Sequence, residues 1–142
     1  MNCLGCHLAN KKEEVHLVFE DENVSCILDH QPFNEGHVLI LPKQHVRSFD
    51  EFDEMTAKSV FKAIKILSKA LKKLYNPDGI TICQNGGEFD ELTHFHMHII
   101  PRYQGQNFAD FYIEDTKEDD VEADKLEEIR RNIVLTIKGL DD

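Results

Sequence analysis

Histidine recurs at alternate positions in the segment His94-Phe95-His96-Met97-His98-Ile99-Ile100. Successive side chains of an extended strand point to opposite faces. His94, His96 and His98 therefore share one face, and Phe95, Met97 and Ile99 share the other. The first face suits a polar cleft, and the second suits a hydrophobic core. A row of imidazoles in an otherwise apolar strand is costly to desolvate without a purpose, so a functional cluster is expected. Two chemistries fit. Imidazole is a common zinc ligand. A neutral imidazole can also attack phosphorus while flanking histidines donate to phosphate oxygens.

A second pattern, Cys3-x-x-Cys6, would place two thiolates about one turn apart, a spacing suited to tetrahedral zinc. By itself it also fits a redox pair or chance. Cys26 and Cys83 stand singly in apolar runs and are expected to be buried small hydrophobes. The first residues lack a basic region followed by an apolar run, so no secretory signal is expected. That points to a reducing compartment, the cytoplasm, where disulfides are disfavoured. No stretch approaches the roughly 18 consecutive apolar residues of a spanning helix.

The elements that must position these residues can be read from periodicity. Val15–Phe19 and Val24–Leu28 read as a hairpin turning at Glu20–Asn23. A loop over Asp29–Gly36, broken by Pro32 and Gly36, leads into an apolar strand, His37–Leu41. A long helix is predicted from about Asp53 to Tyr75, with Val60, Ile64, Leu67, Leu71 and Leu74 as its apolar stripe. Lys58, Lys62, Lys65, Lys69 and Lys72 fall largely on its other side. Ile80–Gln84 and Thr93–Ile100 read as the last strands. A second helix over Glu122–Lys138 would bury Leu126, Ile129, Ile133 and Ile137. Strands come in runs and do not alternate singly with helices. This predicts an α+β fold, with about five antiparallel strands and two main helices in a single domain, 1–142.

The chain has 142 residues and a net charge of -11. Such a surface disfavours non-specific binding to nucleic acid or anionic membranes, while a small phosphorylated ligand in a local pocket stays possible. Much of the excess lies in Glu114, Asp115, Glu118, Asp119, Asp120, Glu122, Asp124, Glu127 and Glu128, and then Asp141 and Asp142. A solvated loop and helix face explains that run. No Gly-rich phosphate loop is present.

His-φ-His-φ-His-φ-φ followed by Pro101-Arg102 resembles the signature of the histidine-triad (HIT) family of nucleotide hydrolases and transferases. Ile27-Leu28-Asp29, Gly36-His37-Val38-Leu39-Ile40-Leu41-Pro42-Lys43-Gln44-His45 and Gln84-Asn85-Gly86 resemble the family in order and spacing, closest to its Hint-like branch. The resemblance implies that His96 is the nucleophile, forming a covalent nucleotidyl-histidine whose hydrolysis releases a nucleoside monophosphate. His98 would contact the phosphate, His94 would complete the triad, and His37 would support it. Asp29 falls at the ribose-binding position, where a carboxylate can accept from two vicinal hydroxyls. It could equally cap its loop. Gln84 and Asn85 fall in the phosphate-contacting region, although Gln84 also suits a turn. The resemblance further implies a structural zinc ion on Cys3, Cys6, His45 and His94, a purine nucleotide substrate and a homodimer. His7, adjacent to Cys6, is a poor rival ligand, and His16 and His30 read as surface or loop residues. The chain departs from the family between Gly86 and His94. Phe89-Asp90, followed by Glu91, replaces a usual Gly-Gln pair in a loop one residue shorter. Carboxylates near an anionic substrate are unfavourable unless they point away, are protonated or pair with a cation. Competing expectations are a non-catalytic nucleotide-binding module and a zinc-stabilised protein whose acidic tail docks a basic partner.

Overall fold

The computed structural model describes residues 2–113 and 120–140. Along the chain lie α1 (Leu4–Ala9), β1 (Leu17–Glu20), β2 (Val24–Leu28), β3 (Val38–Pro42), α2 (Glu54–Tyr75), β4 (Gly79–Cys83), β5 (Met97–Arg102) and α3 (Ala123–Lys138). Short 3₁₀ turns occupy Phe49–Glu51, Gly87–Phe89 and Phe108–Tyr112. The strands form one antiparallel sheet in the order β1-β2-β3-β5-β4, so the fold is α+β as the pattern predicts.

Strand alternation sorts the sheet into two faces with different work. Val24, Cys26 and Leu28 of β2, Val38 and Ile40 of β3, and Met97 and Ile99 of β5 enter the main core. Val60, Ala63, Leu67 and Leu71 of α2, with Leu126, Ile129 and Ile133 of α3, cover that face. Both predicted helical stripes are thus the packed ones. On the opposite face, Ile27 and Leu41 form a smaller cluster with Ala9 of α1, and Leu39 packs against it. His98 stands opposite Leu39 in the β3–β5 register and so belongs to this second face.

The caps of α2 follow its sequence. Asp53 accepts from the Thr56 N–H at 2.8 Å, satisfying a free donor of the first turn. Asn76 ends the helix in the left-handed region at φ 46°. At Gly36 the backbone also has positive φ, 92°, and a side chain there would collide with the Tyr75 ring.

Several expectations need correction. The six-residue helix α1 was not foreseen; it is too short to show a periodic stripe. The last predicted strand starts at Met97, not Thr93, so only His98 of the triad lies in regular sheet. Thr93 takes a left-handed conformation (φ 56°), and the Phe95 N–H turns to the Val46 carbonyl at 2.7 Å. The first strand begins at Leu17 and not Val15, and the third and fourth are displaced by one residue from His37–Leu41 and Ile80–Gln84. Cys26 is buried, but Cys83 is only half-buried because β4 is an edge strand. His16 is largely covered and lies 3.6 Å from a Glu127 carboxylate oxygen, while His30 is exposed. Glu114, Asp115, Glu118, Asp119, Asp141 and Asp142 fall outside the described residues. Asp120 is exposed, yet it accepts from the Gln31 side chain at 2.7 Å and lies 3.0 Å from His30 Nδ1.

Candidate active site and metal centre

The segment before β5 is set by a carboxylate. Asp90 Oδ1 accepts from the N–H groups of Leu92 and Thr93, each at 3.0 Å. This turn holds Thr93 in its left-handed conformation and delivers His94, His96 and His98 to three different surroundings. Backbone and side-chain partners then fix which nitrogen of each ring carries the proton.

His94 is fully buried, and its Nε2 lies 2.8 Å from the Pro42 carbonyl. A carbonyl only accepts, so Nε2 bears hydrogen and Nδ1 keeps its lone pair. Burial, above all, holds this imidazole below the ordinary histidine range, keeping it neutral. His96 is arranged the opposite way. Its Nδ1 lies 2.9 Å from the His94 carbonyl, so Nδ1 donates and Nε2 keeps the lone pair. The Asp90 carboxylate stands 3.7 Å from the same Nδ1. The third arrangement is a relay. The Phe33 N–H donates to His37 Nδ1 at 3.0 Å, so His37 carries its hydrogen on Nε2. That Nε2 donates to His98 Nδ1 at 2.9 Å, leaving His98 with hydrogen on Nε2. The result is a lone pair on His96 Nε2 next to a donor on His98, the arrangement that nucleophilic attack on phosphorus requires.

Cys3, Cys6, His45 and His94 converge at the other end of this segment, their ligand atoms within 4.8 Å of one another. Cys3 Sγ and Cys6 Sγ lie 3.6 and 3.5 Å from His94 Nδ1, and Cys6 Sγ lies 3.2 Å from His45 Nδ1. Tetrahedral zinc, with Zn–S of about 2.3 Å and Zn–N of about 2.0–2.1 Å, places sulfur and nitrogen ligands about 3.5 Å apart. The donor set fits that ion. Cys3 also caps α1 by accepting from the Cys6 N–H at 3.3 Å. Burial first, and the Cys3 thiol second, push the Cys6 thiol above its usual range, so a cation is what would favour the thiolate. Gly5 lets α1 lie directly on the imidazole, because a Cβ there would overlap Cβ and Cγ of His94. A second cluster, Asp29, His37 and His98, is equally tight. Its histidine nitrogens already bond each other, so it reads as the relay described above.

His96 and His98 open onto a cleft of about 1220 Å³ that Asp29, Asn85, Glu88, Glu91 and Phe111 also line. Asp29 Oδ1 accepts from the Gln31 N–H at 2.9 Å, the loop-capping role, and Oδ2 lies 3.6 Å from His37 Nε2. Gln84 is not among the cleft-lining residues; its side-chain amide donates to the Asn85 carbonyl at 2.7 Å. His37 and His94 are buried behind the cleft, so His37 reaches it through His98, and His94 through its carbonyl. Sequence reasoning gave no role to Asp90, Gly5 or Phe111. The departure from the Gly-Gln pattern was the signal for Asp90, whose carboxylate points away from the cleft into its own turn. No signal marked Gly5 or Phe111, whose importance arises only from tertiary contact.

Residues 10–105 match the HIT domain. An uncharacterized HIT-like protein of Methanocaldococcus jannaschii is 40% identical over 105 residues, covering 72% of this chain and 81% of that protein. The adenosine 5'-monophosphoramidase of Saccharomyces cerevisiae is 26% identical over 141 residues, covering 98% and 85%. Among solved structures, a Zn-bound histidine triad family protein from Mycobacterium smegmatis superposes with a TM-score of 0.76 at 26% identity, covering 97% of this chain and 94% of that one.

Proposed function

The chain belongs to the HIT domain family, and from that premise we propose that it hydrolyses nucleoside phosphoramidates, or related nucleotidyl compounds, at the α-phosphate. The observation that carries this reading is the hydrogen bond from His96 Nδ1 to the His94 carbonyl, which keeps the Nε2 lone pair for attack. His96 Nε2 bonds to phosphorus while the bond from phosphorus to the leaving group breaks. The departing amine takes a proton from solvent, and the Nδ1–H of His96 stays in place, so the phosphorylated ring carries positive charge. The Asp90 carboxylate, 3.7 Å from that nitrogen, faces the new charge. His98 Nε2–H donates to a phosphate oxygen, held in that tautomer by His37. Water then attacks phosphorus and gives up a proton to solvent, the P–N bond breaks with its electron pair returning to Nε2, and a nucleoside monophosphate leaves a neutral His96. Asp29 would hold the ribose hydroxyls and Asn85 the phosphate region, with Gln84 acting through the Asn85 turn.

Charge narrows the leaving group. Glu13, Glu14, Glu88, Glu91 and Asp110 all line the cleft. Carboxylates repel a polyphosphate and tolerate a neutral or cationic amine, which favours phosphoramidates over dinucleoside polyphosphates. Cys3, Cys6, His45 and His94 would hold zinc, which supplies a structural tether between α1 and the triad segment, with no open position for water. The edge strand β4, with Ile82 exposed, would pair with its copy in a homodimer. Among the described residues no helix is long and apolar enough to cross a membrane.

The test uses zinc-replete protein with adenosine phosphoramidate. The expected result is release of AMP and, after rapid quenching, a nucleotidyl adduct on His96. His96→Ala should keep nucleotide binding and lose both. Wild-type turnover in that variant would overturn the assignment, and nucleotide binding with neither turnover nor adduct in the wild type would favour a binding module.

A further inference from the structure

The 3₁₀ turn Phe108–Tyr112 lies beyond the residues that match the family domain, 10–105, yet it forms a wall of the cleft. Its aromatic rings belong to neither hydrophobic cluster of the fold. They pack on the histidines instead. The Phe111 ring meets His98 at 5.1 Å between centroids with an interplanar angle of 82°, and meets His37 at 5.9 Å. Phe108 stacks on Phe111 at 5.1 Å and 8°, and Phe33 meets both rings edge-on.

This aromatic group is anchored from the sheet. Arg102 of β5, the arginine of the Pro-Arg pair after the triad, places its guanidinium carbon 4.3 Å from the Phe108 centroid and 5.6 Å from that of Phe33. Its Nη1 donates to Thr81 of β4 at 2.9 Å. Its Nε is buried without a hydrogen-bond partner among the described residues. Ring faces beside a guanidinium are a reason for that omission, since the aromatic quadrupole attracts the cation. The intervening loop is fastened as well. Gln106 and Asn34 exchange side-chain amide hydrogen bonds at 2.7 and 3.0 Å, and the Asn34 amide also donates to the Pro101 carbonyl at 2.7 Å.

The His98 ring must keep Nε2–H aimed at the phosphate. The His37 bond fixes its tautomer through Nδ1, and the tilt of the ring about that bond depends on what packs against its faces and edges. A second ring packed edge-to-face limits that tilt and excludes water from one side. We propose that the Arg102–Phe108–Phe111 stack is a positioning device for His98, and that Phe111 is the positioning residue through which it acts. The inference rests on the reading of His98 as the phosphate-facing donor.

The test is a double-mutant cycle on adenosine phosphoramidate hydrolysis combined with imidazole ¹⁵N NMR. Phe111→Leu should lower kcat about tenfold and leave KM within about twofold, as expected for a misaimed group and not for lost binding. In a His98→Ala background the same substitution should cost no further kcat, because its route is gone. Phe111→Tyr, which keeps the ring, should restore the rate. In the wild type, His98 should show one protonated and one unprotonated nitrogen; Phe111→Leu should keep that tautomer, which His37 holds, but shift and broaden the Nε2–H signal as the ring tilts. Arg102→Met should move both readouts in the same direction by less. An equal fall in both backgrounds, or unaltered His98 nitrogen signals in Phe111→Leu, would overturn the inference. Wild-type protein without turnover but with the shifted, broadened His98 Nε2–H signal in Phe111→Leu would uphold the positioning role while refuting the proposed reaction.

Discussion

His94 and His96 are two residues apart in one extended segment, and the structure turns them to opposite uses. His94 spends Nε2 on the Pro42 carbonyl and presents Nδ1 to two sulfur atoms. His96 spends Nδ1 on the His94 carbonyl and presents Nε2 to the cleft. The difference lies in the partner of the other nitrogen, which selects the face of the ring that stays basic. One end of the segment thereby holds a donor set that fits a metal ion, and the other a basic nitrogen that faces the cleft. The peptide unit of His94 joins them, since its ring serves the first and its carbonyl the second.

If the two ends are separate in function, zinc content and turnover must come apart in variants. His96→Ala should abolish turnover and leave about one zinc per chain by metal analysis; loss of zinc as well would mean the ends are one site. Cys3→Ser with Cys6→Ser should remove zinc and lower Tm by about 10 °C, the scale of a tether worth about 3–4 kcal/mol in a chain of this size. Residual turnover should persist in that variant, because the atom of His94 that touches His96 is a backbone oxygen. Protein that stays metal-free with unaltered Tm in the wild type would break the comparison. His37→Phe sharpens the catalytic end: the His98 tautomer is freed, and kcat should fall about tenfold with zinc retained. Gly5→Ala sharpens the other end. The added methyl pushes α1 off the imidazole, so zinc should dissociate faster in a chelator-competition assay while the rest of the fold persists. The smallest effect is expected at Glu91→Gln, which should improve kcat/KM for a dinucleoside polyphosphate relative to a phosphoramidate by about twofold, and less in high salt.

Much of this is legible in the sequence. The alternation of His94, His96 and His98 with Phe95, Met97 and Ile99 announced a strand with a working face and a core face, and the apolar residues do lie in the core. The stripes of α2 and α3 were equally plain, because long helices repeat their signal over several turns. The pairing of Cys3 and Cys6 with His45 and His94 came from family resemblance and agrees with the observed donor distances. Other features had no local signature. α1 is shorter than the window in which periodicity speaks. The late start of β5 depends on Thr93 and on a bond to Val46, a residue far away in sequence. Asp90 carries no assignment in the sequence, where pointing away, protonation and a cation partner are all open; the fold settles it by turning Oδ1 to cap its own turn. Phe111 looked like the edge of an uninformative acidic tail; only packing reveals that it rests on His98.

The division of the sheet into a packed face and an open face has a consequence for how such a protein can change. Val38 and Ile40 are completely buried against the helices, while Leu39, between them, lines the cleft. If the proposed function holds, substitutions at positions such as Leu39 would retune which ligand the cleft admits without touching Val38 and Ile40, the residues buried against the helices. A scaffold whose stability and selectivity are written on alternate residues of the same strands can diversify its substrates through small, separately tolerated steps.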